Sequence, residues 1–228
     1  MSEFQQILLG LLRGLGNTSI LFFTTLVFAL PLGLIISFGS MSKLKPLKFL
    51  TKIFVWVIRG TPLMLQILLV SFLPKYLFGS STKAWAQALG LTVSNMLFVF
   101  VIIAFVINYA CYFSEIFRSG IESIPKGQYE AGKVLGMTKS QIFFKVVLFQ
   151  VIKRIVPPMS NETITLVKDT VLAFTLSVVD LLTSAKEAVN NFVTLSPLLY
   201  AGIIFLIFNG LLTLLFGLIE RKLSFYKE

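Results

Sequence analysis

Five polar side chains that could hold a small charged solute lie within nine residues in the second half of the chain. Asn161, Thr165 and Lys168 follow an i, i+4, i+7 spacing, which places them on one side of a helix. Asp169 adjoins that side and Glu162 precedes it. The Lys168 ammonium could pair with a solute carboxylate, and either acid with a solute ammonium. Alternatively, Lys168 and Asp169 pair with each other or across a dimer. We call these five residues the 161–169 polar cluster.

Several other chemistries are excluded by residue type. The chain has no histidine and only one cysteine, Cys111, so His-based zinc sites, haem with a His ligand and disulfides are excluded. A G-x-x-x-x-G-K-[ST] phosphate loop is also absent, so any ATP that powers this protein must bind another chain. We therefore predict no catalytic residues, no metal site and no cofactor on this chain.

The composition places the polar cluster inside a membrane protein. Of the 228 residues, 56% are apolar and only 13% are charged, where a soluble domain carries about 25% charged residues. Mean hydropathy is +0.89. The net charge of +10 does not indicate nucleic acid binding, because no basic cluster is interleaved with aromatic residues. The sequence predicts an all-α integral membrane protein.

Long uncharged stretches locate the membrane spans. Charged side chains are absent from residues 14–42, 84–114 and 188–219. A bilayer core of about 30 Å needs about 20 apolar helical residues. Five spans are predicted, near residues 18–38, 53–73, 95–114, 155–179 and 198–218, the second of them interrupted by Arg59-Gly60-Thr61-Pro62. The first is too long for the apolar region of a signal peptide and lacks a small-residue cleavage site, so we do not expect cleavage.

The positive charges predict the orientation. With the N-terminus outside, fourteen Lys and Arg residues fall in cytoplasmic segments and four in external ones. This predicts an external segment 1–16, a membrane domain 17–220 and a cytoplasmic tail 221–228. A long cytoplasmic loop, residues 115–158, then connects spans three and four. A charge in the fourth span costs at least ~2.5 kcal/mol, so the polar cluster should face the bundle interior or a wet path.

The 115–158 loop contains signals for short helices. After Pro125, a helix can begin at Gln128 with Gly127 as N-cap and end at Gly136 in the left-handed conformation. Thr138 and Gln141 then have the capping-box spacing. An amphipathic helix should follow, and Pro157-Pro158 should disturb the chain as it re-enters the membrane. The predicted apolar face of this amphipathic helix comprises Ile142, Phe143, Val146 and Phe149. The short helix from Gln128 to Gly136, bounded at both ends, suits docking in a groove of a soluble partner. The alternative is a helix that lies on the membrane surface without a partner.

The same loop resembles the EAA signature of ABC importer permeases. Glu130-Ala131-Gly132, three residues, Gly136, nine residues and Val146-x-Leu148-Phe149 match the pattern Glu-Ala-Ala, three residues, Gly, nine residues, Ile-x-Leu-Pro. Gly132, Val146 and Phe149 depart from it. The loss of the proline at Phe149 removes a kink, so the helix there should be straighter.

Further stretches resemble the polar amino acid permeases, the histidine and glutamine uptake type with a type I fold. They cover most of residues 17–220, and comprise Arg59-Gly60-Thr61-Pro62-Leu63 with Gln66, Ser114-Glu115-Ile116-Phe117-Arg118, Ser123 to Gln128, and Asn161-x-x-Ile164-x-Leu166-x-Lys168-Asp169-Thr170.

The resemblance implies a transport subunit in the bacterial cytoplasmic (inner) membrane, working by alternating access. It implies two ATPase subunits that bind ATP and Mg, a second permease copy or sister permease, surrounding lipid, and an extracytoplasmic amino acid binding protein. The coupling helix would use Gln128, Glu130, Ala131, Gly132, Leu135 and Gly136. The 161–169 polar cluster supplies the candidates for the substrate path, where Lys168 could pair with an amino acid carboxylate and Asp169 or Glu162 with its ammonium.

Two other predictions complete the interpretation. Glu115 and Arg118 are i, i+3 neighbours, for which a structural ion pair is favoured. Arg59, near the cytoplasmic end of span two, can extend to the lipid headgroups, with a gating role as the alternative. Two other function classes remain: a self-sufficient channel or ion-coupled carrier, and a membrane assembly subunit. Ion-coupled carriers often contain internal repeats of spans. The sequence shows no such repeat, and the predicted count of five spans is odd, so the carrier is disfavoured.

Overall fold

The computed structural model describes residues 2–223, which are helical and contain no strand. The last five residues of the predicted tail 221–228 lie outside this range. The helices are α1 (Glu3–Ser40), α2 (Lys45–Gly60), α3 (Leu63–Phe78), α4 (Thr82–Ala88), α5 (Val93–Glu122), α6 (Lys126–Val134), α7 (Lys139–Ile142), a π-helical turn (Phe143–Val147), α8 (Leu148–Asp169), a 3₁₀ helix (Thr170–Leu176), α9 (Leu181–Phe192) and α10 (Ser196–Leu223).

Three helices of the described chain are long and apolar enough to cross a membrane. These are α1, α5 and α10, each with a stretch of mean hydropathy 2.4. They contain the predicted spans 18–38, 95–114 and 198–218. The pair α2 and α3 counts as a fourth span if a bent pair is one span. The described residues therefore hold three or four candidate spans, where the sequence predicted five.

The predicted span 53–73 is two helices rather than one. The axes of α2 and α3 differ by 110°. Thr61 is extended (φ −116°, ψ 145°), because the ring of Pro62 disfavours a helical conformation in the residue before it. Pro62 then serves as N-cap of α3. The Arg59-Gly60-Thr61-Pro62 segment thus changes the chain direction.

The predicted span 155–179 also differs from expectation. Helix α8 runs without a break through Pro157 and Pro158 to Asp169, so the predicted disturbance there is wrong. The chain then tightens into the 3₁₀ helix and ends it at Ser177, which is left-handed (φ 55°). Since α8 carries charges at both ends, it is not among the helices apolar enough to span by composition.

Helix α5 lies at the centre of the fold and packs on α1, α3 and α8. The approach to α1 is close, because a Cβ on Gly33 would come within 2.8 Å of the Ala110 carbonyl oxygen. Phe105, Tyr109 and Phe113 of α5 are almost fully buried in this core. The central position lets α5 contact both the bent α2–α3 pair and the end of α8, where the candidate residues lie.

Candidate functional site

The first candidate surface is the short helix α6 and its two ends. It begins at Lys126 with Pro125 as N-cap, so the predicted start at Gln128 with a Gly127 cap is wrong by two residues. Proline suits this position because it lacks an N–H and has a φ (−59° here) close to the helical value.

Gly136 ends α6 in the left-handed conformation, as predicted, with φ +70°. The Gly136 N–H donates to the Lys133 carbonyl at 2.9 Å, and the Met137 N–H donates to the Gly132 carbonyl at 3.0 Å. These two bonds form a Schellman motif, which satisfies the last carbonyls of the helix. A residue with a Cβ would be strained at this φ.

The two sides of α6 differ in what they contact. Gly132 is buried against Ile142, and a Cβ there would come within 2.6 Å of Ile142 Cγ1. The opposite side is exposed, with Val134 88% and Leu135 77% accessible. The remaining predicted coupling residues, Gln128, Glu130, Ala131 and Gly136, are also exposed. The structure thus separates Gly132, which packs against Ile142, and Gln128, which accepts a hydrogen bond of 3.2 Å from Gln150, from the other exposed residues, which can meet a partner.

The helix that follows α6 begins as predicted but buries a different face. Thr138 and Gln141 form the capping box. The π-helical turn then adds one residue to the helical period, which rotates the buried side of the helix. The buried residues are therefore Ile142, Val147 and Val151. Phe143 and Phe149, which were predicted to be apolar contacts, are 39% and 65% exposed. A regular α-helical period could not have shown this shift.

A line of charges lies at the end of α5. Arg118 donates to both carboxylate oxygens of Glu115, at 3.1 and 2.6 Å, and to Glu122 at 2.6 Å. Arg59, from the end of α2, lies 3.8 Å from Glu115 and 5.0 Å above the ring of Tyr112. Arg59 therefore packs against α5 instead of extending freely, which the sequence did not indicate.

The 161–169 polar cluster divides into two sets. Asn161, Thr165 and Lys168 are exposed on the outside of the single chain. Glu162 and Asp169, seven residues apart on another side of α8, are half-buried. Asp169 Oδ2 accepts a hydrogen bond of 2.7 Å from the hydroxyl of Tyr109 on α5. Among the described residues, Lys168 and Asp169 form no ion pair with each other.

Charges of both signs lie near the second set. Glu162 is within electrostatic range of Arg59 and of Asp169. No direct ion pair joins Arg59 to either acid within residues 2–223. This arrangement can receive a molecule that carries both an ammonium and a carboxylate. Within residues 2–223, no three Cys, Asp or Glu side chains are grouped so that they could hold a metal ion.

Tyr109 is the functional candidate that sequence reasoning missed. A tyrosine inside an uncharged membrane helix needs a partner for its hydroxyl, which was the available signal. The sequence could not identify Asp169 as that partner, because the two residues are 60 positions apart.

Comparison with known proteins relates this chain to membrane components of transport systems. Residues 7–225 match the family model described as "Binding-protein-dependent transport system inner membrane component". The L-cystine transport system permease protein TcyB of Bacillus subtilis is 37% identical over 215 residues, covering 93% of this chain and 86% of that protein. The arginine transport system permease protein ArtQ of the same organism is 32% identical, covering 94% and 92%.

The fold is similar to a solved structure over nearly its full length. A crystal structure of an amino acid ABC transporter with histidines contains a chain with a TM-score of 0.82 and 28% identity. The match covers 96% of each chain.

Proposed function

The chain belongs to the family of binding-protein-dependent transport system inner membrane components, and we propose that it carries a polar amino acid inward across the bacterial inner membrane. It is a multi-pass permease subunit of an ABC transporter, a transport component and not an enzyme. Relatives named for cystine and arginine transport support an amino acid as the cargo.

The observation that carries the proposed cargo is the placement of charge around α5. Glu162 and Asp169 share one side of α8, and Arg59 from the end of α2 is within electrostatic range of Glu162, with no ion pair to either acid among the described residues. An amino acid offers an ammonium to the two acids and a carboxylate to Arg59. In this proposal Arg59 takes the part that the sequence assigned to Lys168, because Arg59 packs against Tyr112 and Glu115 of α5, whereas Lys168 is exposed on α8 and pairs with neither acid among the described residues.

The exposed stripe Asn161–Thr165–Lys168 suits a second permease subunit. Polar side chains at membrane depth normally face a protein interior or water. On the single chain these three residues face outward, so a second copy or a sister permease is needed to cover them. In the proposed complex, substrate path and dimer interface thus lie on adjoining sides of α8.

We further propose that α6 is the coupling helix. The exposed residues Glu130, Ala131 and Leu135 would contact one of two separate ATPase subunits, which bind ATP and Mg. The contact of Gly132 with Ile142 joins α6 to α7, and α8 then runs 22 residues, about 33 Å, to Asp169. Movement of α6 with the ATPase would therefore reach the polar cluster, which is the physical requirement for alternating access.

The proposed topology keeps the five predicted spans. The fourth crossing in chain order consists of α8 with the 3₁₀ helix, α10 is the fifth, and the domain limits remain 1–16, 17–220 and 221–228. The excess of Lys and Arg in residues 115–158 places α6 on the cytoplasmic side, facing the ATPases. A binding protein on the opposite side would deliver the amino acid.

The proposal is tested by purification and reconstitution. The tagged chain is solubilised in mild detergent, co-purifying chains are identified, and the complex is placed in liposomes with its binding protein. We expect an ATPase in near-equal ratio and uptake of at least one labelled amino acid from a panel of twenty plus L-cystine, only with ATP. An ATPase variant unable to hydrolyse ATP is the control. ATP-independent uptake, or isolation of the chain without an ATPase, would contradict the proposal.

A further inference from the structure

The Tyr109 side chain is fixed inside the protein. It is 2% exposed and almost parallel to Phe105, with ring centroids 6.3 Å apart, and lies 6.1 Å from the ring of Phe113. All three rings are on α5 and are held by the core. The position of the hydroxyl is therefore set by the ring, and it donates to Asp169 Oδ2 at 2.7 Å.

Asp169 needs such a partner to hold one orientation. It is the last residue of α8, where the α-helix changes to a 3₁₀ helix, and its side chain is only half-buried. Tyr109 donates its hydrogen bond to Oδ2. Oδ1 accepts no hydrogen bond from the described residues, and it is not one of the fully buried side-chain atoms that lack a partner. One oxygen is thus fixed by the protein and the other remains available.

We propose that Tyr109 is a positioning residue: its hydroxyl orients the Asp169 carboxylate so that Oδ1 receives the α-ammonium of the transported amino acid. This inference rests on the proposed function. A hydrogen bond to a charged group inside a protein is directional, so its loss leaves the carboxylate free to rotate away from the ammonium. The competing explanation is that the bond only ties α5 to α8.

Direct binding by the permease–ATPase complex tests the role without interference from the binding protein. The probes are L-arginine, L-glutamine and L-cystine, each compared with the derivative in which every α-amino group is acetylated (N,N′-diacetyl for L-cystine), so that no cationic α-ammonium remains. Tyr109→Phe keeps the ring and removes the hydroxyl. We expect this variant to raise the Kd of the bound amino acid about tenfold, as for loss of one hydrogen bond to a charge.

The acetyl derivatives separate positioning from structure. If Tyr109 acts through the ammonium contact, Tyr109→Phe leaves the Kd of the acetyl derivative unchanged, and the preference for the free amino acid falls about tenfold. A purely structural bond would weaken both ligands alike and lower the midpoint of thermal unfolding. Tyr200→Phe is the matched control, because Tyr200 is a half-buried tyrosine packed edge-on against Phe4 of α1.

The outcomes distinguish this inference from the proposed function. If the wild-type complex imports an amino acid but Tyr109→Phe keeps its preference, the positioning role is overturned and import stands. The positioning role is also overturned, and import still stands, if the wild type imports an amino acid that the permease–ATPase complex does not bind. If the wild type neither binds nor imports any amino acid, the proposed function is overturned, and this inference with it.

Discussion

Asn108 on α5 donates a hydrogen bond of 3.1 Å to the side-chain oxygen of Gln66 on α3, 42 residues earlier in the chain. The Gln66 amide nitrogen in turn donates to the Ile58 carbonyl at 2.7 Å and the Thr61 carbonyl at 3.1 Å. Gln66 thereby satisfies carbonyls that the end of α2 leaves open. The next residue, Tyr109, contacts Asp169. Two adjacent residues of α5 thus hold both the α2–α3 bend and the end of α8.

Gln66→Leu should loosen the α2–α3 bend. It leaves the buried Asn108 amide without this partner, at a cost of about 1–3 kcal/mol, and removes the shorter of two side-chain hydrogen bonds to the Ile58 carbonyl, which keeps the Thr61 hydroxyl at 3.3 Å. We expect a lower midpoint of thermal unfolding in detergent. Gln87→Leu, at an exposed position of α4, is the control and should change little. Adding Asn108→Leu should recover part of the loss, and fully additive losses would contradict the shared network.

Gly136→Glu should separate ATP hydrolysis from transport. The left-handed φ of +70° strains any residue with a Cβ by about 1 kcal/mol or more, and the new charge lies on the exposed side of α6. We expect normal membrane insertion, with uptake per ATP hydrolysed reduced at least tenfold in proteoliposomes. Gly90→Glu is the matched control, since Gly90 has φ +66° at the end of α4. Normal coupled uptake by Gly136→Glu would remove the coupling role.

Gly132→Leu should displace α6 from its support. Even a Cβ at this position would meet Ile142 Cγ1 at 2.6 Å, and overpacking of this kind costs about 1–3 kcal/mol. We expect faster proteolysis of the 115–158 loop and weaker ATPase association. Ile142→Ala in the same chain makes room and should restore association in part. If the double variant is worse than Gly132→Leu alone, the contact does not position α6.

Asp169→Asn should impair uptake far more than Lys168→Met. Asp169 is hydrogen-bonded to Tyr109 and shares its side of α8 with Glu162 at the proposed path, whereas Lys168 is exposed on the side assigned to the second permease subunit. We expect a loss of at least tenfold in binding of the amino acid to the Asp169 variant, from one lost charge contact. Lys168→Met should keep binding within about threefold and act on dimer stability instead. Equal losses in binding would place Lys168 in the path.

Arg59→Lys should weaken binding while preserving the fold. Lysine keeps the charge but not the planar guanidinium that lies over Tyr112 and reaches Glu115. We expect a several-fold higher Kd for the amino acid, and a smaller effect on an amino acid amide, which lacks the carboxylate. An equal effect on both ligands would assign Arg59 to the structure alone.

Local sequence signals accounted for much of the fold. The predicted spans 18–38, 95–114 and 198–218 lie in α1, α5 and α10, because apolar length is a property of the segment itself. The Thr138–Gln141 capping box and the left-handed Gly136 depend on neighbours within a few residues, so their spacing was sufficient. The break in the chain at Pro62 is also an effect of neighbouring residues, whereas the 110° angle between α2 and α3 is not.

What the sequence determined by itself is therefore a helical membrane protein with a bounded helix in a basic loop and a polar cluster near residue 165. The tertiary structure alone decided which of those polar residues act together. It turned Glu162 and Asp169 toward α5, left Lys168 outside, and joined Tyr109 to Asp169. It also changed the buried face after α6 through the π-helical turn. These outcomes depend on packing between distant segments, which no periodicity within one segment encodes.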